Sequence, residues 1–207
     1  MYALILAGGL GSRLGLGEKP LVTIRGVPMI RYVIEAFNSG GFEIVVVLSR
    51  KTPYTHNWCR AHAIPHYTAG GRGYVEDIAE AVEALGIEGP LFTSVADIPC
   101  LEDDIIATLH ASYLESGKDA LSCWIPKDLA EKYGSRVAYS EIIDGVEACP
   151  AGINIICGNL IDSLQEETRV LLADPRLAYN INTREALEFV TKIMHTRLDH
   201  GQRPWRS

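Results

Sequence analysis

Leu6-Ala7-Gly8-Gly9-Leu10-Gly11-Ser12-Arg13-Leu14-Gly15, followed by Glu18-Lys19-Pro20-Leu21, decides how the rest of the chain reads. It comes directly after Tyr2-Ala3-Leu4-Ile5-Leu6, an apolar run that predicts a buried first strand. Glycines at the end of a strand let the backbone turn sharply, so that several N–H groups converge on one anion. Arg13 and Lys19 add two cations within reach of that turn. Converging amides flanked by Arg and Lys suit the phosphates of a nucleoside triphosphate. A glycine-rich surface turn that binds nothing has no need of both cations and Pro20 in this order.

Two other phosphate loops are excluded by spacing. A Walker loop continues Gly-Lys-Ser/Thr, whereas Lys19 is followed by Pro20. The dinucleotide fingerprint leaves two residues between its last glycines, but three separate Gly11 from Gly15. No acidic residue near position 30 closes a second strand to hold a ribose.

Outward from the loop, apolar runs alternate with helical spacing. Ile30, Val33, Ile34 and Phe37 predict a helix over Pro28–Asn38, ended by Gly40-Gly41. Glu43–Leu48 reads as a strand buried on both faces. Pro53–His62 reads as a helix, Ile64–Thr68 as a strand, 70–73 as a loop and Tyr74–Leu85 as a helix. Leu91–Ala96 is a strand ending at Asp97, and Asp103–Leu114 a helix. This alternation predicts an α/β domain with a mostly parallel central sheet and helices on both faces. The order then changes: Ala120–Ile125, Val137–Tyr139, Gly145–Glu147 and Gly152–Ile156 read as strands with short links, a small antiparallel element. Asn159–Leu164 reads as a short helix and Thr183–Met194 as the last one. Residues 1–198 make one domain, and 199–207 a polar tail.

Composition bounds the partners. With 207 residues, 47% of them hydrophobic, the chain can bury one full core. A net charge of −7 argues against nonspecific nucleic-acid binding, which wants a basic face. No run of about 18 apolar residues offers a transmembrane segment. The sequence enters its first strand without a basic segment and cleavage site, so a cytoplasmic location is expected. The five cysteines are scattered, without a C-x-x-C pair, and read as reduced packing residues; Cys100 after Pro99 has no histidine to activate it.

Three further segments carry chemistry. Asp97 ends a strand in Ser94-Val95-Ala96-Asp97-Ile98-Pro99, where open α/β sheets place ligand sites. A carboxylate there can hold Mg²⁺ against triphosphate oxygens, or simply cap the following helix. Gly70-Gly71-Arg72-Gly73-Tyr74-Val75-Glu76-Asp77 lets backbone approach a flat ligand closely at Gly71 and Gly73. Glu76 and Asp77 either complement the start of a helix or accept the N1–H and N2–H₂ donors of guanine. Adenine offers the wrong pattern to a carboxylate. Which acid reads the base stays open. Pro150-Ala151-Gly152-Ile153-Asn154 opens a strand in which Gly152 permits close approach of a ribose or acceptor, or forms a bulge.

The string L-x-A-G-G-x-G-x-R-x-G…K-P-L resembles the signature of nucleotidyltransferases with a Rossmann-like nucleotide-diphospho-sugar transferase fold. The four segments at 3–21, 71–77, 150–154 and 180–183 resemble, more narrowly, the archaeal-type GTP:adenosylcobinamide-phosphate guanylyltransferases of cobalamin biosynthesis. The first and last are shared with molybdenum-cofactor guanylyltransferases. The resemblance implies GMP transfer from GTP to a corrinoid phosphate acceptor, with Mg²⁺ as cofactor and a homodimer as the family's assembly. It implies catalytic roles for Arg13, Lys19 and Asp97, and nucleotide binding by Leu6, Ala7, Gly8, Gly9, Gly11, Gly71, Gly73, Glu76, Asp77 and Gly152. It places a second metal contact at Asn180-Ile181-Asn182-Thr183, where Asn182 is favoured over Asn180 although Asn182 or Thr183 also suits a helix cap. Ala96-Asp97-Ile98-Pro99 lies closer to the general superfamily form than to the narrower family. Trp58, Tyr74 and Trp124 are candidates to line a corrinoid site. Other acceptors (molybdopterin, phospholactate, a sugar phosphate) and a silent GTP-binding protein are the alternatives.

Overall fold

The computed structural model describes residues 1–9, 11, 15–135 and 137–199, side chains at 195–199 excepted. In chain order the elements are β1 (Tyr2–Leu6), β2 (Thr23–Ile24), β3 (Val27–Pro28), α1 (Met29–Ser39), β4 (Glu43–Ser49), α2 (Pro53–Ala61), β5 (His66–Ala69), α3 (Tyr74–Leu85), β6 (Pro90–Val95) and α4 (Asp103–Ser116). They continue with β7 (Ala120–Pro126), α5 (Lys127–Lys132), β8 (Glu141–Ile143), β9 (Val146–Cys157), β10 (Glu167–Leu171), α6 (Pro175–Ala178) and α7 (Arg184–Asp199).

The main sheet runs β10-β7-β9-β6-β1-β4-β5, with β8 attached to β9. Pairs β1–β4, β4–β5, β1–β6 and β7–β10 are parallel, while β9 lies antiparallel between β6 and β7. Alternation along each strand divides the core. Ala3, Ile5, Val46, Leu48 and Phe92 face α1 and α4, meeting Val33, Phe37, Ile106 and Leu109. Leu4, Val45, Val47 and Leu91 face α3, meeting Ile78, Ala81 and Val82. Each large side chain buried this way contributes roughly 1.5–3 kcal/mol. Phe37 and Phe92 are fully buried and meet edge to face, with centroids 5.5 Å apart. A smaller cluster, Val22, Ile24, Met29, Ile181 and Val190, seats α7 against the β2–β3 hairpin.

The fold class read from the sequence is the one observed, and the departures from the predicted elements are local. The two strands expected at Gly145–Glu147 and Gly152–Ile156 are one strand, β9: a register shift opposite Ser122 and Trp124 carries it past Pro150 and Gly152. Val137–Tyr139 is not a strand. The turn Asp144-Gly145, with φ of 51° and 80°, closes a two-residue hairpin and sets β8 at Glu141–Ile143 instead. Asn159–Leu164 keeps only a 3₁₀ turn at Gly158–Leu160. β10 and α5 gave no signal, being short and half-polar. Of the predicted tail at 199–207, Asp199 ends α7, and 200–207 lie outside the described residues.

Candidate functional site

The chain leaves β1 for β4 on one side of the sheet, and β6 pairs with β1 on the other. Open α/β sheets form their crevice at such a switch point, beyond the carboxyl ends of the strands. There Leu6, Ala7, Gly8 and Gly9 from β1 face Val95, Ala96 and Asp97 from β6 across a cavity of about 350 Å³. Lys19, Ser49, Lys51, Gly71, Gly73, Tyr74 and Asp77 also line it. The glycine-rich loop, the strand-end aspartate and the 70–77 segment therefore share one space.

A closed polar ring forms one wall. Lys19 Nζ pairs with Asp97 Oδ2 and donates to Asn182 Oδ1 at 2.6 Å. Asn182 Nδ2 donates to Asn180 Oδ1 at 2.6 Å, and Asn180 Nδ2 to Asp97 Oδ1 at 3.2 Å. The side chains of Lys19 and Asp97 are 14% and 17% exposed, so the pair is screened far less than a surface one. The backbone holds the ring in place, because Ile181 N–H donates to the Asp97 carbonyl at 3.0 Å. The capping ambiguities resolve. Thr183 Oγ1 accepts from Ala186 N–H at 3.2 Å at the start of α7, which leaves Asn182 to the ring. Glu102, five residues past Asp97, is the N-cap residue of α4.

The loop residues divide by role. Ala7 N–H is spent on the Val47 carbonyl at 2.8 Å, so amides for an anion begin at Gly8. Gly8 is tightly placed: a Cβ would lie 3.1 Å from Ser49 Cβ, so Ser49 would have to shift by a few tenths of an ångström. Gly11, at φ +58°, would place a Cβ 2.5 Å from Lys19 Cβ, so the loop closes directly on the lysine stem. Gly11 does not itself line the cavity. Arg13 lies outside the described residues.

At the opposite wall, Asp77 Oδ1 accepts from Gly71 N–H at 2.9 Å and Arg72 N–H at 3.0 Å. Glu80 accepts from Gly70 N–H at 3.1 Å, and that bond, ahead of those from Tyr67 and Arg72, lowers its carboxyl pKa. Of the two acids at the helix start, Asp77 reaches the cavity; Glu76 is exposed and lies beside Gly73. Gly152, at φ +80°, packs on Val95: a Cβ would fall 2.7 Å from Val95 Cγ2, in the cavity wall.

Two lining residues, Ser49 and Lys51, had no motif in the sequence. Ser49 closes β4 and Lys51 lies just beyond it, and a basic pair at a strand's carboxyl end (Arg50-Lys51) was the available signal. The Tyr74 hydroxyl lies 3.5 Å from Thr93 Oγ1 and accepts from Asn154 Nδ2 at 3.3 Å. Although 39% of Tyr74 is exposed, burial of its phenol end raises its pKa. The aromatic candidates are not brought together: Trp124 is buried under β8, and Trp58 stacks on His62. Cys100 is buried in the α7 cluster. Burial pushes Cys59 up to about 11 and Cys123 up to about 12, protonated at neutral pH.

A second cavity, of about 260 Å³, reaches the ring at its two asparagines and is lined by Ala138, Tyr139, Pro150, Ala151, Asn180 and Asn182. The ring thus joins the two spaces: Lys19 and Asp97 line the first, Asn180 and Asn182 the second.

The donor set also answers for a metal. Asp97 Oδ2 and Asn182 Oδ1 already converge on one cation, the Lys19 ammonium. Two converging oxygens fit Mg²⁺, which takes one or two protein ligands and completes its shell with water and phosphates.

Comparison with known proteins agrees with this geometry. The profile of the MobA-like NTP transferase domain matches residues 3–181. The adenosylcobinamide-phosphate guanylyltransferase of Methanocaldococcus jannaschii is 30% identical over 206 residues, covering 94% of this chain and 97% of that protein. Molybdopterin-guanine dinucleotide biosynthesis protein A from Archaeoglobus fulgidus superposes with TM-score 0.65 at 18% identity, covering 95% of this chain and all of that one (100%). HddC from Yersinia pseudotuberculosis, complexed with GMP-PN, superposes with TM-score 0.69 at 18% identity over 94% of this chain and 100% of that one. At these identities the two structures show a shared fold. Among the described residues, no helix is long and apolar enough to cross a membrane. The chain belongs to the MobA-like NTP transferase family and is a nucleotidyltransferase.

Proposed function

We propose that this nucleotidyltransferase moves GMP from GTP onto the phosphate of adenosylcobinamide phosphate, giving adenosylcobinamide-GDP and pyrophosphate. The observation that carries the reading is the Lys19–Asp97–Asn182–Asn180 ring at the switch point, with Lys19 and Asp97 lining one cavity and Asn180 and Asn182 lining another. Transfer at the α-phosphorus needs donor and acceptor on opposite sides of the reacting atom, in line. The 30% identical Methanocaldococcus jannaschii protein, named for this reaction, supports the acceptor.

The acceptor phosphate oxygen forms a bond to the α-phosphorus while the α–β P–O bond breaks and pyrophosphate leaves. The nucleophile is already an anion, so no strong general base is required. The amides from Gly8 onward, with Arg13, hold the β- and γ-phosphates. Lys19 faces the α-phosphate, where charge shifts in the transition state. Asp97 and Asn182 would hold Mg²⁺, which would supply charge neutralisation on the phosphate oxygens. Asp77, whose Oδ2 has no partner among the described residues, meets the guanine N1–H and N2–H₂. Asn180 and Asn182 border the acceptor's side. The corrin body, too large for that cavity, rests outside it on the exposed Tyr139, Ile142 and Val146.

Calorimetry with GTP, ATP, CTP and UTP in the presence of Mg²⁺ tests the donor: GTP alone binding tightly is expected, and a preference for ATP overturns the guanine assignment. Incubation with radiolabelled GTP and adenosylcobinamide phosphate, molybdopterin, phospholactate or a sugar phosphate tests the acceptor. Labelled corrinoid product is expected. Label on another acceptor moves the function there, and tight GTP binding with no pyrophosphate released from any acceptor marks a silent binder.

A further inference from the structure

We infer that the turn between β4 and α2 is a clasp holding both ends of the phosphate loop, with Glu18, Thr55 and Ser49 as positioning residues for the transfer. The inference rests on the reading that residues 8–19 cradle phosphates, and it adds how that cradle keeps its shape. At the loop's start, Ser49 Oγ donates to the Gly8 carbonyl at 2.8 Å, and Lys51 N–H donates to Ser49 Oγ at 3.2 Å. At its end, Glu18 Oε1 accepts from Tyr54 N–H at 2.8 Å, and Glu18 Oε2 accepts from Thr55 N–H and Thr55 Oγ1, both at 2.6 Å. Thr52 Oγ1 ties the two halves together by donating to the Ser49 carbonyl at 3.1 Å.

These are buried contacts. Glu18 is 8% exposed, Ser49 4%, and Thr52 and Thr55 are fully covered. A carboxylate taken so far from water persists only where its hydrogen bonds are supplied, and here the N-terminus of α2 supplies them. That helix makes no side-chain cap of its own at Thr52 and begins with Pro53, which has no N–H. Its next two free amides, Tyr54 and Thr55, go to a residue more than thirty positions earlier. One peptide bond separates that residue from Lys19, whose ammonium closes the ring on Asp97 and Asn182. Gly8 and Lys19 are thus referred to one rigid turn, and the loop between them spans two fixed posts.

The clasp is tested with Thr55→Val, which removes one hydroxyl donor at nearly constant volume, with Thr55→Ser, which restores it, and with Glu18→Gln. Trace acetylation read by peptide mass spectrometry compares Lys19 with the exposed Lys132. Thr55→Val and Glu18→Gln are expected to raise the relative labelling of Lys19 about tenfold, as a lost hydrogen bond to a charged group frees it. They are also expected to lower kcat by about tenfold with KM for GTP held, and Thr55→Ser to return both readouts toward wild type. Ser49→Ala is expected to weaken GTP binding by calorimetry about tenfold with Lys19 labelling unchanged. Wild-type labelling and kinetics in Thr55→Val and Glu18→Gln overturn the clasp. So does a loss of activity that only tracks the folded fraction by circular dichroism and is not rescued by serine. The labelling needs neither nucleotide nor acceptor, so failure of the wild-type protein to make a corrinoid product overturns the proposed function and leaves the clasp to be decided on its own.

Discussion

At the scale of single residues, the proposed transfer gives Lys19 and Asp97 separate roles, and these predict separate losses. Lys19 meets charge that develops at the α-phosphate, so Lys19→Ala should lower kcat by about a hundredfold and leave GTP affinity within about threefold. Steady-state kinetics with calorimetry checks this; equal loss in binding with none in turnover removes Lys19 from the transition state. Asp97 brings the one carboxylate of the pair proposed to hold the metal. Asp97→Ala should abolish Mg²⁺-dependent transfer and weaken Mn²⁺ uptake with GTP, read by electron paramagnetic resonance, by about tenfold or more. Mn²⁺ bound as in the wild type would mean that another group holds the metal. Both residues were legible from local sequence, because a glycine-rich turn after a strand and an acid at a strand's end are short-range signals. Asp77 and Glu76 were not separable, because only the placement of α3 turns one of them into the cavity.

Elements position these residues, and glycine sets how closely elements approach. β9 crosses β6 with Gly152 against Val95 at φ +80°. Gly152→Ala adds a Cβ where Val95 Cγ2 stands and forces a left-handed backbone on a substituted residue, at a cost of about 1–3 kcal/mol. Thermal unfolding should show a lower Tm, and GTP binding should weaken because Val95 is displaced into the cavity. Unchanged Tm and affinity would mean that the strands part freely at this point. The first half of the sheet was readable as elements, since apolar runs buried on both faces alternate with helical periodicity. β9 was misread as two strands, because Pro150 and Gly152 are local signals to stop, and a register shift against β7 overrides them.

Across the whole molecule, the site depends on a second ion cluster that positions the late segment. Arg176 on α6 pairs with Asp174, Glu102 and Asp104, tying α6 to the start of α4 just ahead of residues 180–182. The hydrogen bond from Arg176 holds the Asp104 carboxyl below its ordinary 3.8, and its three acidic partners raise the Arg176 pKa in turn. A depressed carboxyl pKa gives stability that is complete above the ordinary value and is lost as pH falls through the folded one. Arg176→Met should therefore cost about 1–2 kcal/mol at neutral pH, discounted for the exposure of Asp104. The gap from wild type should narrow as the pH drops below 3.8. Denaturant unfolding across that range checks it, and a gap independent of pH would make the arginine a packing residue only.

By itself the sequence determined the fold class, the glycine-rich loop after the first strand, the aspartate beyond β6 and the alternation of the first half. These rest on interactions between near neighbours: dihedral freedom at glycine, hydrophobic period and the chemistry of a turn. Only the tertiary structure decided that Lys19 meets Asp97 and Asn182, 78 and 163 residues away, and that Thr183 caps α7 so that Asn182 is free to do so. It also decided that Glu18 caps α2 in place of Thr52. The physical reason is the same in each case. A buried polar group must find partners, many residues offer the right atoms, and packing of the finished core selects which of them arrive.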